Sequence, residues 1–429
     1  MVDNRTNSPE VKLKQKIEDL FSSKIDPIHH LKQLDYPKKA GTAGDKKAAN
    51  YIASTLKNFR YEPISQGFHY LKSNRNSSLR FPLIILIWGL LSLLNILYFT
   101  NNKMLGLITL SLPLVIIIVL FRFEALMKFF FRRRAKKLEE LESKIRNNKL
   151  TEGEKTRLIT SQNVFTDIGN PNAPHQILFT AHFDSISSKL PMKFSKIIGK
   201  LGFVSFFLFS ILYAINFIGM FYFEWDFMEF LTPVFVILLI TALILLELLL
   251  ISRSFRGNES HGIIDDGSGV AILLELAKFL KMQNMTDYRF TFGFFSAEEA
   301  GLIGSSYYHR NSQLDKNTHV ISVDMIGENP PLKYIKGINP LIKTSMNRDF
   351  NTRIASIAKQ LDIELKESSF FYPGSDFAHW LYDGHPTNWL INGSKLIHSR
   401  HDNLANLNKP LVIDALKILI AYFTLKMAP

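Results

Sequence analysis

The chain has 429 residues, 47% of them hydrophobic, with 51 Lys and Arg against 38 Asp and Glu for a net charge of +13. It has no cysteine, which excludes disulfides and thiolate zinc sites. Its positive charge concentrates beside apolar runs, where membrane topology explains it, so no nucleic acid partner is expected.

Residues 1–30 are polar and charged and lack the apolar stretch of a signal peptide. Residues 10–35 are predicted to be helical. Ala43-Gly44-Asp45 leads into a helix from Lys46 to Phe59, where Ala49, Ile52, Ala53 and Leu56 recur at helical spacing. Tyr61 to Tyr70 has the pattern of a strand.

Four segments are almost purely apolar: Phe81 to Thr100, Met104 to Phe121, Leu201 to Phe223 and Leu231 to Ile251. Each is long enough to cross a hydrocarbon layer of ~30 Å as a helix. Pro113 and Pro233 are compatible with that, since spanning helices tolerate proline. The segments come as two pairs, joined by Asn101-Asn102-Lys103 and by Glu224 to Glu229. Each pair is therefore expected to form a transmembrane helical hairpin in a lipid bilayer. Buried core helices of a soluble enzyme are the alternative, but these rarely run so long without charges. Lys72, Arg75 and Arg80 precede the first span, and Arg122, Lys128, Arg132, Arg133, Arg134, Lys136 and Lys137 follow the second. Lys193, Lys196 and Lys200 precede the third, and Arg253 and Arg256 follow the fourth. The positive-inside rule then predicts an integral membrane protein with four transmembrane helices and its catalytic domain on the cytoplasmic side. Glu247, inside the fourth span, is expected to pair with Arg253 in a structural role.

Leu126 to Asn148 is a charged helix, read as a solvated surface helix. From Asn163 strands and helices alternate. Strands are predicted at Asn163 to Asp167, Gln176 to Ala181, Tyr288 to Phe295 and His319 to Met325. Helices are predicted at Val270 to Lys281, Asn351 to Leu361 and Pro410 to Lys426. This alternation implies an α/β fold, a mostly parallel central sheet flanked by helices, with the two hairpins inserted into it. The expected organisation is 1–80 for the N-terminal part of a catalytic domain, 81–121 for the first hairpin, 122–200 for its continuation, 201–252 for the second hairpin and 253–429 for the C-terminal part.

Five short stretches carry the chemistry. His182-Phe183-Asp184 ends an apolar strand, and alternation puts His182 and Asp184 on one side. A zinc-bound histidine usually needs a carboxylate or carbonyl on its other ring nitrogen; Asp184 could instead cap a turn. Asp265-Asp266-Gly267-Ser268-Gly269 precedes a helix. It reads either as an acidic cap or as a turn in which Asp265 bridges two cations and glycines bring the backbone close. Glu298-Glu299 follows the run Phe290 to Phe295, where buried acids are costly without a cation. One can bind metal while the other serves as general base; an exposed acidic loop is the alternative. Asp324 ends a further apolar strand, and His398 follows Trp389 to Ile397, with Asp402 four residues on. Taken singly, each admits a structural explanation. Jointly, carboxylates at the carboxyl ends of several strands converge on one crevice. Two imidazoles, one shared Asp, one Asp and one Glu give each of two metals three protein ligands and an open position.

This ordered set (HFD, DDGSG, SAEE, VDM, HSRHD), with GTAGDKKAANYIASTL from Gly41 to Leu56, resembles the co-catalytic di-zinc aminopeptidases. Relatives of that family include glutamate carboxypeptidases, glutaminyl cyclases and the non-catalytic transferrin receptors. The resemblance covers residues 28–72 and 160–425, and implies a zinc-peptidase-like fold, two zinc ions and a peptide substrate. By it, His182, Asp265 and Asp324 would hold one zinc, and Asp265, Glu299 and His398 the other. Asp184 would orient His182, and Glu298 would carry a proton from the attacking water to the leaving amine. The Asp265–Asp266 peptide would be cis.

Two features depart from the family pattern. Ile397 stands where many relatives place a tyrosine that helps to stabilise the oxyanion, so Tyr372 or a metal ion would have to supply that help. The membrane hairpins are also not the ordinary pattern. The second lies between His182 and Asp265 in the chain, which leads us to expect the mouth of the site near the cytoplasmic membrane surface. The function implied is a membrane-anchored zinc-dependent exopeptidase, foremost an aminopeptidase. A glutaminyl-cyclase-like acyltransferase and a non-catalytic receptor or scaffold are the alternatives. The complete two-metal set counts against both.

Overall fold

The computed structural model describes residues 9–72, 87–93, 103–188, 192–222, 228–254, 256–283, 286–338, 344–370 and 373–426. The chain divides into two compact units. One comprises Met1–Lys72, Met127–Ser187 and Asn258–Pro429; the other comprises Ser73–Leu126 and Ser188–Gly257.

In the first unit, the helical stretch expected over residues 10–35 is two helices, Pro9–Ser23 and Pro27–Leu34. The break has a local cause. Asp26 caps the second helix by accepting the His29 N–H at 3.1 Å, and Pro27 follows at the first turn, where its missing N–H costs nothing. The next helix, Ala43–Asn58, starts earlier than its apolar spacing indicated because Thr42 caps it.

The strands are β1 (Ile64–Leu71), β2 (Leu158–Gly169), β3 (His175–His182), β4 (Ser187–Ser188), β5 (Arg256–Gly257), β6 (Tyr288–Phe295), β7 (His319–Asp324), β8 (Leu332–Ile338), β9 (Thr344–Ser345), β10 (Leu365–Phe370) and β11 (Thr387–Ile391). The main sheet runs β1-β2-β6-β3-β7-β11-β8-β10, with β9 on β8. Its four central strands, β6, β3, β7 and β11, are mutually parallel. Beyond them β2 and β1 on one side, and β8 with β9 on the other, join antiparallel, while β10 runs parallel to β8. The sheet is thus mixed: the parallel character expected of it holds for the four central strands and the β8–β10 pair, and the other pairings are antiparallel. That centre matters for function, because all four strands end at one edge of the sheet.

Helix Ser268–Lys281 lies against β3 and β7 and is buried along almost its whole length. Helices Pro27–Leu34, Ala43–Asn58 and Lys409–Lys426 pack against it. A core cluster is built around Phe295, Val320, Ile335, Phe377, Trp380 and Trp389. The charged helix expected at Leu126 to Asn148 is Phe123–Arg146.

In the second unit, residues 87–93 are helical, and long helices run over Lys103–Phe121, Met192–Tyr222 and Met228–Ser254. Trp88, Phe206, Phe209, Tyr213, Phe235 and Leu239 pack together. Other faces of these helices expose Leu201, Phe207, Ile211, Ile237 and Ile244. Among the described residues, one helix is long and apolar enough to cross a membrane, Ile197–Ile215; Pro233–Leu248 is a shorter apolar helix. The expectation of four spans is corrected to that extent. Most of Phe81 to Thr100, the Asn101-Asn102 connection and most of the Glu224 to Glu229 connection lie outside the described residues, as do Tyr372 and the side chain of Arg253.

Candidate metal centre

β3 ends in His182, β7 ends in Asp324, and β6 ends at Phe295, three residues before Glu298. Since β3, β6 and β7 are parallel, these residues share one edge of the sheet. Asp265 reaches the same edge from a turn, Ile263–Gly267, just before the buried helix. The Asp265–Asp266 peptide is cis, as the resemblance implies. Asp266 is fully buried and knits the pieces together. It accepts the backbone N–H groups of His182 at 3.3 Å, Gly269 at 2.9 Å and Met325 at 3.3 Å. Gly269 is required here: a β-carbon would lie 2.3 Å from the Val323 carbonyl oxygen and 2.4 Å from Asp266 Oδ2.

Asp265 turns one carboxylate oxygen to each imidazole. Oδ1 lies 3.0 Å from His182 Nε2, and Oδ2 lies 3.3 Å from His398 Nε2. Asp324 Oδ1 is 3.8 Å from His182 Nε2, and Glu299 Oε1 is 2.9 Å from His398 Nε2. Two groups result, His182 with Asp265 and Asp324, and Asp265 with Glu299 and His398. Within each, the candidate ligand atoms all lie within 4.8 Å of one another.

These groups fit cations. Ligands about 2.0–2.2 Å from a tetrahedral zinc stand roughly 3.3 Å apart, which is the range of the separations seen. Asp324 Oδ1 is buried and accepts no hydrogen bond among the described residues. The electrostatics point the same way. Burial pushes Asp324 up to about 7, Asp376 up to about 6 and Asp402 up to about 7. Burial also holds Glu298 and Asp266 well above the usual carboxylate range. Burial opposes the charge of His182, yet Glu298, Asp184 and Asp265 raise it well above an ordinary imidazole. So many buried acids around two histidines make a site short of positive charge, which bound cations would relieve.

Asp184 stands behind this centre. His182 Nδ1 is 3.2 Å from the Asp184 carbonyl oxygen and 3.6 Å from Asp184 Oδ1. The Asp184 carboxylate also accepts the N–H groups of Glu298 at 2.9 Å and Glu299 at 3.3 Å. The backbone around the centre is strained: Ala297, Leu302, Met325 and His398 all have positive φ without being glycine. Such residues persist only where surrounding structure imposes them.

Residues 251–423 match the family model of Peptidase family M28. The match includes Asp265, Glu298, Glu299, Asp324 and His398, and leaves out His182 and Asp184. A stretch of 137 residues is 31% identical to leupeptin-inactivating enzyme 1 of Streptomyces exfoliatus, covering 31% of this chain and 30% of that protein. The match thus spans less than a third of that relative. Two solved structures are similar across most of their length. The aminopeptidase from Aneurinibacillus sp. strain AM-1 has a TM-score of 0.51 at 14% identity, covering 96% of this chain and 95% of that one. BSAP, a zinc aminopeptidase from Bacillus subtilis, has a TM-score of 0.51 at 14% identity, covering 94% and 96%. At such identity these likenesses speak to the fold alone. The resemblance drawn from the sequence and the family matched are the same.

Sequence reasoning missed Asp376 and Lys38, which the fold brings to the site, and noted Asp402 only as a residue four positions after His398 that admits a structural explanation. Asp376 is fully buried beside Glu298, from a loop with no apolar pattern to announce it. Asp402 accepts the Ile264 N–H at 2.6 Å and so braces the turn before Asp265. Lys38 is fully buried and donates to the carbonyls of Leu34 at 3.3 Å, Gly262 at 3.1 Å and also His261. The sole sequence signal for Lys38 was its place just before the motif from Gly41 to Leu56. Ile397, which replaces the expected tyrosine, is buried.

Proposed function

We propose that this protein is a membrane-anchored, zinc-dependent exopeptidase, an aminopeptidase acting on the amino-terminal residues of peptides. The observation that carries the reading is the shared carboxylate of Asp265, with Oδ1 3.0 Å from His182 Nε2 and Oδ2 3.3 Å from His398 Nε2. The M28 match supports the class of reaction. In this reading His182, Asp265 and Asp324 hold one zinc and Asp265, Glu299 and His398 a second. Zinc bound there would polarise a peptide carbonyl and make a water more acidic.

The chain's own groups do the rest. Glu298 is half-buried beside His182, Glu299, Asp376 and Asp324, and without cations burial and these acids raise its hold on a proton. Beside bound cations its carboxylate would ionise, and it could then take a proton from the attacking water and return it to the leaving amine. Asp184 orients His182 and fixes the backbone of Glu298. Two of the four apolar segments supply the support for membrane anchoring. Their helices, Met192–Tyr222 and Met228–Ser254, expose large apolar residues such as Phe207, Ile211, Ile237 and Ile244, a surface suited to lipid. In this reading the basic flanks favour the cytoplasmic side for the catalytic unit.

The test is purification in detergent, elemental analysis for zinc, and assay of a panel of aminoacyl and peptidyl substrates with zinc and with chelator. Bound zinc with chelator-sensitive release of amino-terminal residues supports the reading. A metal-free protein after zinc loading, or no release of amino acids, sinks it. Resistance of the full chain to alkaline extraction from membranes tests the anchoring separately.

A further inference from the structure

Helix Phe123–Arg146 carries a dense run of cations: Arg132, Arg133, Arg134, Lys136 and Lys137. Four of them are exposed; Arg134 alone turns inward. The helix is fixed to the catalytic unit along one side. Phe131 packs on His379 with ring centroids 4.5 Å apart, Leu138 and Leu141 are buried, and Arg310 Nη2 donates to Glu142 Oε1 at 2.6 Å. This anchorage presents the Arg134 guanidinium to the Gly301 carbonyl, to which Nη1 donates.

Gly301 closes the turn that Glu298 opens. The N–H groups of Gly301 and Leu302 both donate to the Glu298 carbonyl at 2.7 Å. Gly301 sits at φ +108°, and a β-carbon there would lie 3.1 Å from Arg134 Nη2. Glycine thus permits both the turn and the close approach of the guanidinium. At the other end of the turn, Asp184 accepts the N–H groups of Glu298 and Glu299. The turn bearing Glu298 is gripped at both ends, by an anion on its N–H groups and a cation on its carbonyl.

We infer that Arg134 is a positioning residue for Glu298, holding its turn in place from a basic helix that none of the site motifs includes. The inference rests on the reading of Glu298 as general base. A base must stay within hydrogen-bond reach of the proton it takes, and a misplacement of about 1 Å can lower a rate by about 100-fold. A lysine could keep a single charged bond but not the planar fork of the guanidinium.

The test uses the full chain in detergent with three variants. Arg134→Gln should lower kcat by about 10- to 100-fold with KM and zinc content near wild type. Backbone amides of residues 298–302 should exchange faster with deuterium. Arg134→Lys should recover part of kcat, and Arg133→Gln, on the exposed face, should match wild type. Wild-type kcat and wild-type amide exchange in Arg134→Gln overturn the inference. So does a loss of kcat that follows loss of zinc and that lysine does not restore. Should Arg134→Gln not fold, Arg134→Lys decides: reduced kcat with faster exchange at 298–302 supports the hold, and wild-type values of both overturn it. If the wild type hydrolyses no peptide, the proposed function fails, yet the exchange data still report whether Arg134 holds the turn.

Discussion

Asp184 Oδ1 accepts the backbone N–H of Glu298 at 2.9 Å. One carboxylate thereby joins two parts of the centre, because the same residue faces Nδ1 of His182 through its carbonyl and Oδ1. A residue placed by sequence only behind a ligand turns out to hold the candidate base as well.

Asp184→Asn keeps one acceptor but loses the second oxygen and the charge facing His182. Activity should fall by about 10- to 100-fold, as for other changes behind a metal ligand, with zinc affinity weakened in competition against a chelator. Wild-type kcat/KM in this variant would show that neither contact matters.

Glu298→Gln preserves shape and leaves the backbone N–H bond to Asp184 in place. Hydrolysis should drop by about 100- to 10,000-fold, the usual worth of a general acid–base group. Zinc content and thermal midpoint should stay near wild type. A parallel loss of zinc would reassign Glu298 as a ligand.

Asp265 is the shared ligand in the proposal, so its removal should matter more than that of either histidine. Asp265→Ala is expected to bind less zinc than His182→Ala or His398→Ala, as measured by elemental analysis after dialysis. Equal zinc losses in all three would argue for a single metal position.

Asp45 offers a pH signature away from the metal ligands. Its carboxylate accepts Gly41 N–H at 2.8 Å, Ser161 Oγ at 2.6 Å and Ser296 Oγ at 2.6 Å. Burial nevertheless pushes it up to about 6. An acid raised on folding favours the protonated native state. Its contribution is complete below the unfolded value, near 3.9, and fades as pH rises through about 6. The wild type should therefore lose up to about 3 kcal/mol of stability from this group between acid and neutral pH. Asp45→Asn should flatten that part of the profile of thermal midpoint against pH. An unchanged slope would remove Asp45 as its source.

Gly269→Ala should be severe for a single methyl group. The β-carbon would meet the Val323 carbonyl and Asp266 Oδ2, so the helix must shift away from β7. A cost of about 1–3 kcal/mol is expected from overpacking, with zinc binding impaired because Asp266 ties His182, Gly269 and Met325 together. Thermal unfolding and zinc content check both parts.

Much of the first unit was legible because burial writes itself into sequence. β6 lies where the run Tyr288 to Phe295 predicts it, and the helix after Asp265 differs only in starting at Ser268. β8 and β10 were not legible. Lys333 and Lys336 interrupt the first, and the second, LKESSF, is polar and half exposed, so neither carries a two-residue apolar period. Backbone pairing to neighbours holds such strands, and that is a tertiary fact.

The residue types able to bind metal, their order, and their place at strand ends came from the sequence by itself, since an acid or imidazole after an apolar strand is costly without a partner. Tertiary structure decided how they meet. Parallel alignment of β6, β3 and β7 brings their ends to one edge, and a turn braced by Asp266 and Asp402 aims the two oxygens of Asp265 at different histidines. It also selected Arg134 from a row of similar cations. Which face of a helix is buried depends on what packs against it, and local sequence does not specify that neighbour.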